Sequence, residues 1–365
     1  MKKVQVNTKN HEYHVYLDKG IRFRVGELLS ECLKDKPSSV FIVSDSTVAP
    51  LYLKDVMNSL QTDLSVSSVI IPSGEQSKSF SEYERLLTEA LKAGLDRKSV
   101  LIALGGGVVG DIAGFVAATY MRGIRFIQMP TTLLAHDSSV GGKVAINHAL
   151  GKNMIGAFHQ PEAVFYDTEM LFSLPEREWR AGFAEVFKHG LILDHSFFEW
   201  LKENVTDFTS INEDLITDVL ARSIAIKAKV VSEDEREQGI RAYLNLGHTL
   251  GHAIEAVSGY GKITHGEAVV IGIVFAMKLS EKHFHTNLDI PSLITWVETF
   301  GYETVIPADL DRNKLLDVMK KDKKTEAGSI RMVLLKKLGE ACVEKIETDV
   351  IRSLLNENEG GGQNG

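Results

Sequence analysis

The chain has 365 residues, 44% of them hydrophobic and 25% charged, and a formal net charge of −8. That length exceeds one ordinary core and implies two domains, and the composition is that of a folded globular protein. The negative balance argues against nucleic acid as a partner, but it leaves room for a small anionic substrate, which needs only local positive charge. Cys32 and Cys342 stand far apart, with neither metal-type nor redox spacing, as expected for a reducing cytoplasm. The opening MKKVQVNTKNHEY has no apolar run behind its lysines and reads as no signal peptide. The longest apolar stretch, Ala268 to Met277, falls short of the roughly 18 residues of a membrane span, so no membrane partner is expected.

In chain order, KVQV and YHVYL suit a hairpin. Five β-branched runs follow: SVFIVS (39–44), VSSVII (66–71), SVLIAL (99–104), IRFIQM (124–129) and AVFY (163–166). They read as strands buried on both faces, with helical patterns between most of them, such as Ser81 to Ala93 and Val109 to Tyr120. The alternation predicts a mainly parallel α/β domain over residues 1–172. From Ser173, a candidate N-cap with Pro175 and Glu176 behind it, nearly every segment has helical period until IRMVLL (330–335). Residues 173–355 are therefore expected to form a mostly helical domain, and the polar, glycine-rich end, 356–365, a disordered tail. No linker composition separates the two domains, so a shared interface is expected, with its cleft as the default ligand position.

LIALGGGVVGDIAGFVA runs from a strand through Gly105, Gly106 and Gly107 into a helix. Such a turn lets backbone approach a ligand and aims helix N–H groups at a phosphate, although the spacing is not G-x-G-x-x-G. Asp45, and Glu75 with Lys78, follow predicted strands, where ligands bind in open parallel sheets. The densest polar stretch, MPTTLLAHDSSVGGKVAINHALGKNMIGAFHQP, holds Thr131, Thr132, Asp137, Lys143, Lys152 and Asn153 among glycines, which is poor core material and good binding material.

NLGHTLGHAIE puts His248 and His252 one turn apart on one helix face, with His265 soon after in THGEAVV. Core packing, a metal site and acid/base chemistry each fit. By spacing alone His248 and His252 read as an H-x-x-x-H ligand pair; Glu267, in HGE, is a rival carboxylate ligand.

GGGVVGD, PTTLLA, DSSVGGK, GKNMIGAF, AGFAEVFKHG, NLGHTLGHAIE and THGEAV, in order across residues 35 to 340, together resemble the sugar phosphate cyclases and, within them, the 3-dehydroquinate synthases. The resemblance implies a Rossmann-like N-terminal domain, a helical C-terminal domain, a homodimer, NAD⁺ and one divalent metal, Zn²⁺ or Co²⁺. It implies a lyase of the shikimate pathway of aromatic amino acid biosynthesis. That enzyme converts 3-deoxy-D-arabino-heptulosonate 7-phosphate to 3-dehydroquinate and phosphate by transient oxidation, elimination, reduction and aldol closure.

By motif position the resemblance assigns the metal to Glu185, His248 and His265, with His252 as a substrate contact and Glu267 in support of the ligands. The cofactor falls to Asp45, Glu75, Lys78, Gly105, Gly106, Gly107, Val108, Asp111, Thr131, Thr132, Asp137, Lys143, Lys152, Thr168 and Leu171. The substrate falls to Lys143, Lys152, Asn153, Lys188, Lys227, Arg241, Asn245, His252, a lysine of KDKK (Lys323 or Lys324), and Arg122 reaching a neighbouring subunit. Lys227 and Arg241, both on predicted helices of the second domain, look like the pair for the substrate carboxylate, since arginine binds carboxylates bidentately. Asp137, Lys143, Lys188 and His252 are the catalytic candidates. One departure stands out: the common family form TTLLAQVDSS is here TTLLAHDSS, one residue shorter, and brings in His136, read as a packing or cofactor-adjacent group. A polyol dehydrogenase such as glycerol dehydrogenase is the rival class, but a neutral polyol needs no such set of cations. Cyclases acting on glucose 6-phosphate or sedoheptulose 7-phosphate have no substrate carboxylate for Lys227 and Arg241.

Overall fold

The computed structural model describes residues 1–60, 64–259, 261–322 and 328–357. Two compact units divide the chain: Met1–Leu174 with Glu213–Arg236, and Pro175–Asn212 with the residues from Glu237 onward.

The first unit runs β1 (Lys2–Asn7), β2 (Glu12–Asp18), α1 (Val25–Cys32), β3 (Ser39–Asp45), α2 (Ala49–Ser59), β4 (Ser65–Ile71) and α3 (Phe80–Lys92). It continues through β5 (Val100–Gly105), α4 (Gly107–Thr119), β6 (Arg125–Pro130), the short α5 (Ala135–Ser138), the hairpin β7 (Lys143–His148) and β8 (Gly151–Phe158), and β9 (Ala163–Asp167). The second unit begins with α6 (Glu176–Leu193) and α7 (His195–Asn204); α8 (Glu213–Glu233) then returns to the first unit. The rest of the second unit is α9 (His248–Ser258), α10 (His265–Phe284), α11 (Ile290–Glu298), α12 (Arg312–Asp322), the hairpin β10 (Ser329–Lys337) and β11 (Glu340–Glu347), and α13 (Thr348–Glu357).

Seven strands form one sheet in the order β1-β2-β9-β6-β5-β3-β4. Only β1 and β2 pair antiparallel, with Val4 opposite Val15, as the hairpin reading expected; the other neighbours are parallel. Strand alternation splits the buried side chains between two faces. Phe41, Val43, Leu101 and Phe126 enter one core with α4, while Val40, Ile42, Val100 and Ile127 enter the other with α1. The central strands are buried on both sides, but β4 lies at the sheet edge and exposes several residues, unlike the expectation for it.

Three expectations are corrected. Residues 213–236 were grouped with the second domain, yet α8 packs on β1; helical period marks a helix but not the sheet it covers. Ser173 does not cap α6: Pro175 precedes the helix, while the Ser173 hydroxyl donates to Met170 O and accepts from Tyr52. Residues 356 and 357, expected in the tail, instead complete α13, whose Leu354 and Leu355 are buried in the core; residues 358–365 lie outside the described residues. Among the described residues no helix is long and apolar enough to cross a membrane.

Candidate active site

In the second unit three helices carry the metal-binding candidates, and glycines let them approach. Gly247, at φ +81°, precedes α9, and a Cβ there would lie 2.6 Å from Val269 O of α10. A Cβ on Gly272 would meet Gly247 O at 1.9 Å, and one on Gly266 would meet Ala181 O of α6 at 2.2 Å. His248 and His265 are the first residues of α9 and α10, and Glu185 lies one turn after Ala181.

The protonation of both rings follows from their neighbours. His248 Nδ1 is 3.1 Å from Leu246 O, and His265 Nδ1 is 3.0 Å from Glu255 Oε2. A carbonyl and a carboxylate accept but do not donate, so each ring carries its hydrogen on Nδ1 and, in its neutral form, presents a bare Nε2. Those nitrogens lie 3.7 and 3.8 Å from the same oxygen, Glu185 Oε1. Glu185 is buried; its Oε2 accepts from the buried Lys188 Nζ, and its Oε1 has no hydrogen-bond partner. Two imidazole nitrogens and an orphaned carboxylate oxygen, mutually within 4.8 Å, fit one divalent cation of the Zn²⁺ type. Burial, with Lys188 and the other two histidines, holds His248 well below the ordinary imidazole range and therefore neutral, as a ligand must be. Burial also pulls His265 down, but the hydrogen bond to Glu255 and the charges of Glu185 and Glu255 outweigh it and leave it raised.

His252 does stand beside His248, their rings edge to face at 5.3 Å, but it falls outside the Glu185 group and joins Glu255 and His265 instead. Glu267 is no ligand in this arrangement. It closes a capping box with Thr264 and meets Arg180, and those bonds hold its carboxyl below the usual range against the effect of burial. Glu255, adjoining the site, was not singled out in the sequence, although it closes the NLGHTLGHAIE motif.

Arg241 is buried in a short 3₁₀ segment, and Asn245 Nδ2 donates to Glu237 Oε1 at 2.8 Å. Lys227 does not share their unit. It lies on α8, within 2.8 Å of Asp137 Oδ1, and also donates to Asp137 O. His136 packs beside that pair, with Nδ1 2.6 Å from Leu133 O and Nε2 3.0 Å from Ser223 Oγ of α8, so the shortened TTLLAHDSS turn is tied to α8. Lys323 and Lys324 lie outside the described residues.

In the first unit β5 ends at Gly105, and α4 begins at Gly107 without a side-chain cap, leaving its first N–H groups to a ligand. A Cβ on Gly106 would sit 3.2 Å from Thr132 Cγ2; one on Gly105 would strike Val109 at 2.5 Å, so Gly105 is required by packing. Val108 is the second residue of the helix, and Asp111 receives Lys78 Nζ at 2.6 Å. Lys78 also donates to Asn153, while Glu75 accepts from Asn147 at 2.7 Å, and Asn147 Oδ1 accepts the Asn153 N–H at 2.8 Å. Asn147 is thus a member of this polar network that the sequence reading missed. Burial raises the Asp111 carboxyl, with Lys78 opposing. Asp45 Oδ1 is used locally, accepting from the Thr47 and Val48 N–H groups. The hydroxyls of Thr131 and Thr168 are buried without a hydrogen-bond partner, and Leu171 is fully buried in the fold. Lys143 and Lys152 fall at opposite ends of the β7–β8 hairpin rather than together. Arg122 is exposed, with left-handed backbone at φ 70°.

A groove of about 650 Å³ in the second unit, lined by Lys262, Asp309, Lys314 and Lys321 among others, does not include the three candidate ligands. The candidate donor atoms converge instead at Glu185, His248 and His265.

The sequence matches the family model described as 3-dehydroquinate synthase N-terminal over residues 68–181 and the C-terminal one over residues 182–325. A 3-dehydroquinate synthase of Halalkalibacterium halodurans is 57% identical over 356 residues, 98% of this chain and 98% of that protein. The chain belongs to the 3-dehydroquinate synthase family. Among solved structures, a 2-deoxy-scyllo-inosose synthase complexed with carbaglucose-6-phosphate, NAD⁺ and Co²⁺ is 26% identical with a TM-score of 0.89, covering 98% of this chain and all of that one. A 2-epi-5-epi-valiolone synthase from Streptomyces hygroscopicus, with NAD⁺ and Zn²⁺ bound, shares the fold at 22% identity and a TM-score of 0.85 over 97% of this chain and 98% of that one.

Proposed function

We propose that this chain is an NAD⁺- and metal-dependent 3-dehydroquinate synthase, a carbon–oxygen lyase of the shikimate pathway, acting in the cytoplasm as a homodimer. The observation that carries the proposal is the convergence of Glu185 Oε1 with two bare Nε2 atoms in a chain of this family. Glu185, His248 and His265 would hold Zn²⁺ or Co²⁺, which supplies a Lewis acid that acidifies a bound hydroxyl and polarises the derived ketone. The α4 turn, with Thr131, Thr168 and the Glu75–Lys78–Asp111 network, would hold NAD⁺, which would supply a reversible hydride acceptor for the substrate's C5 with no net redox change.

The chain's own groups then have defined work. Lys188 engages one oxygen of Glu185 and leaves the other to the metal. Arg241 binds the substrate carboxylate, and Lys152 with Asn153 serves the phosphate; an acidic protein has to gather cations locally for such a substrate. His252, beside both ligand rings, is suited to exchange a proton with a substrate hydroxyl. Asp137 and Lys227, joined at 2.8 Å, supply a second polar pair for that exchange. The departing phosphate accepts the proton lost in elimination, so the site has no need of a strong separate base.

The test is phosphate release from 3-deoxy-D-arabino-heptulosonate 7-phosphate with substoichiometric NAD⁺, with and without a chelator. Turnover without NADH accumulation, abolished by the chelator and restored by Zn²⁺ or Co²⁺, is expected. NADH formed in proportion to product would support a polyol dehydrogenase instead.

A further inference from the structure

We infer that Glu255 is a positioning residue for the metal: its carboxylate holds His265 through Nδ1 so that Nε2 is presented to the ion beside Glu185. The inference rests on the metal reading above, and its argument is geometric. Glu255 lies two turns after His248 on α9, so both project from one face of that helix. Leu250, Ala253 and Ile254 around it are fully buried, and Glu255 itself is 9% exposed. A carboxylate with so little access to water needs a partner, and Oε2 finds one in His265 Nδ1 at 3.0 Å.

The capping box of Thr264 and Glu267 fixes the backbone at the start of α10. It does not set the rotation of the His265 ring. The bond to Glu255 does, and it turns the opposite nitrogen to 3.8 Å from Glu185 Oε1. His248 has the same arrangement with the neutral carbonyl of Leu246 behind it. The two candidate ligand rings therefore differ in kind, one backed by a dipole and the other by a full charge. A carboxylate behind a ligand imidazole strengthens it as a donor and fixes its tautomer. It also adds negative charge: Glu185 and Glu255 against Lys188 leave a surplus of one, which favours a dication.

A different arrangement is open to these atoms. His252, Glu255 and His265 also lie within metal-binding reach of one another. An ion held there would make Glu255 a ligand. Two facts oppose it. Glu255 Oε2 is already engaged with His265 Nδ1, which cannot both donate a hydrogen and bind a metal. Glu185 Oε1, by contrast, is buried and unpartnered.

The experiment measures Zn²⁺ affinity by competition with a chromophoric chelator, and the visible spectrum of the Co²⁺ form, for the full-length wild type and three variants. Glu255→Gln keeps shape and a weaker acceptor; Glu255→Ala removes the partner; Glu185→Ala removes a proposed ligand. The affinity is expected to fall about 10-fold in Glu255→Gln and about 100-fold in Glu255→Ala. Both should still bind one ion per chain at saturation, with a wild-type Co²⁺ spectrum, while Glu185→Ala loses the stoichiometric site. Affinity within about twofold of wild type in Glu255→Ala would overturn the positioning role, since removing such a partner ordinarily costs 10-fold or more. A changed Co²⁺ spectrum or loss of the stoichiometric ion in both Glu255 variants would also overturn it, by making Glu255 a ligand. Retention of a wild-type site by Glu185→Ala would instead sink the metal reading itself. Gln, being isosteric, keeps the test decisive should the alanine variant misfold.

Discussion

Gly266→Ala tests whether the contact between α6 and α10 sets the metal site. The added Cβ would lie 2.2 Å from Ala181 O and 2.7 Å from both Ala181 Cα and C, all backbone atoms with no rotamer to yield. Ordinary carbon contacts begin at roughly 3.5 Å, so the helices must part by about 1 Å. His265 is the neighbouring residue on α10 and Glu185 is one turn beyond Ala181, so the separation adds to the 3.8 Å between their candidate ligand atoms. A site of this kind tolerates about 0.5 Å, so Zn²⁺ affinity should fall by at least about 10-fold. Overpacking of this sort costs ~1–3 kcal/mol. For a unit of this size about 2 kcal/mol lowers Tm by roughly 4–8 °C. Thermal melting of the metal-free protein and chelator competition read the two effects separately. Wild-type Tm together with wild-type affinity would show that the two helices are not held at this distance.

His248→Ala should lose stoichiometric Zn²⁺ whereas His252→Ala keeps it; equal loss on metal analysis would mean that the two are a ligand pair. Arg241→Ala should lower kcat/KM about 30-fold or more, the equivalent of a lost charged hydrogen bond of roughly 2–5 kcal/mol, with metal content unchanged. The loss should be much smaller with an analogue lacking the substrate carboxylate, and equal losses would make Arg241 structural. Burial pushes the Cys32 thiol up to about 12. Because the thiolate is the nucleophile, only about one molecule in ten thousand is reactive at pH 8, so iodoacetamide should label native Cys32 slowly there and faster as pH rises through 10. Rapid labelling at pH 8 would refute that burial.

The parallel sheet was legible because β3, β5, β6 and β9 are buried on both faces and so read as unbroken apolar runs. The β7–β8 hairpin was not. Its apolar residues, such as Val144 and Ile146, are interspersed with lysine, asparagine, histidine and glycine, and it is shaped by pairing, with Gly156 pressed so close to Val144 O that a Cβ would sit at 2.2 Å. Glu185, His248 and His265 could be named from motifs, but not how their donor atoms converge, which depends on what stands behind each ring. Leu246 O and Glu255 are backbone and tertiary facts. Lys227 and Arg241 read alike on helical segments, yet the fold assigns them to different units, since only packing reveals which strand a helix covers.

That return of α8 has a consequence for how the protein is made. The hairpin of β1 and β2 is synthesised first, but the helix whose Ile216, Val219, Leu220 and Ile224 are buried in the same unit is completed only at Glu233, after α6 and α7. A nascent chain halted at Leu174 would hold every strand of the seven-stranded sheet and still leave β1 without the helix packed on it. The N-terminal unit therefore cannot finish folding until α8, completed at Glu233, has also emerged from the ribosome. Its last contact closes a loop spanning more than half the polypeptide, and in the interval an apolar sheet margin stays exposed, the kind of surface on which chaperones act.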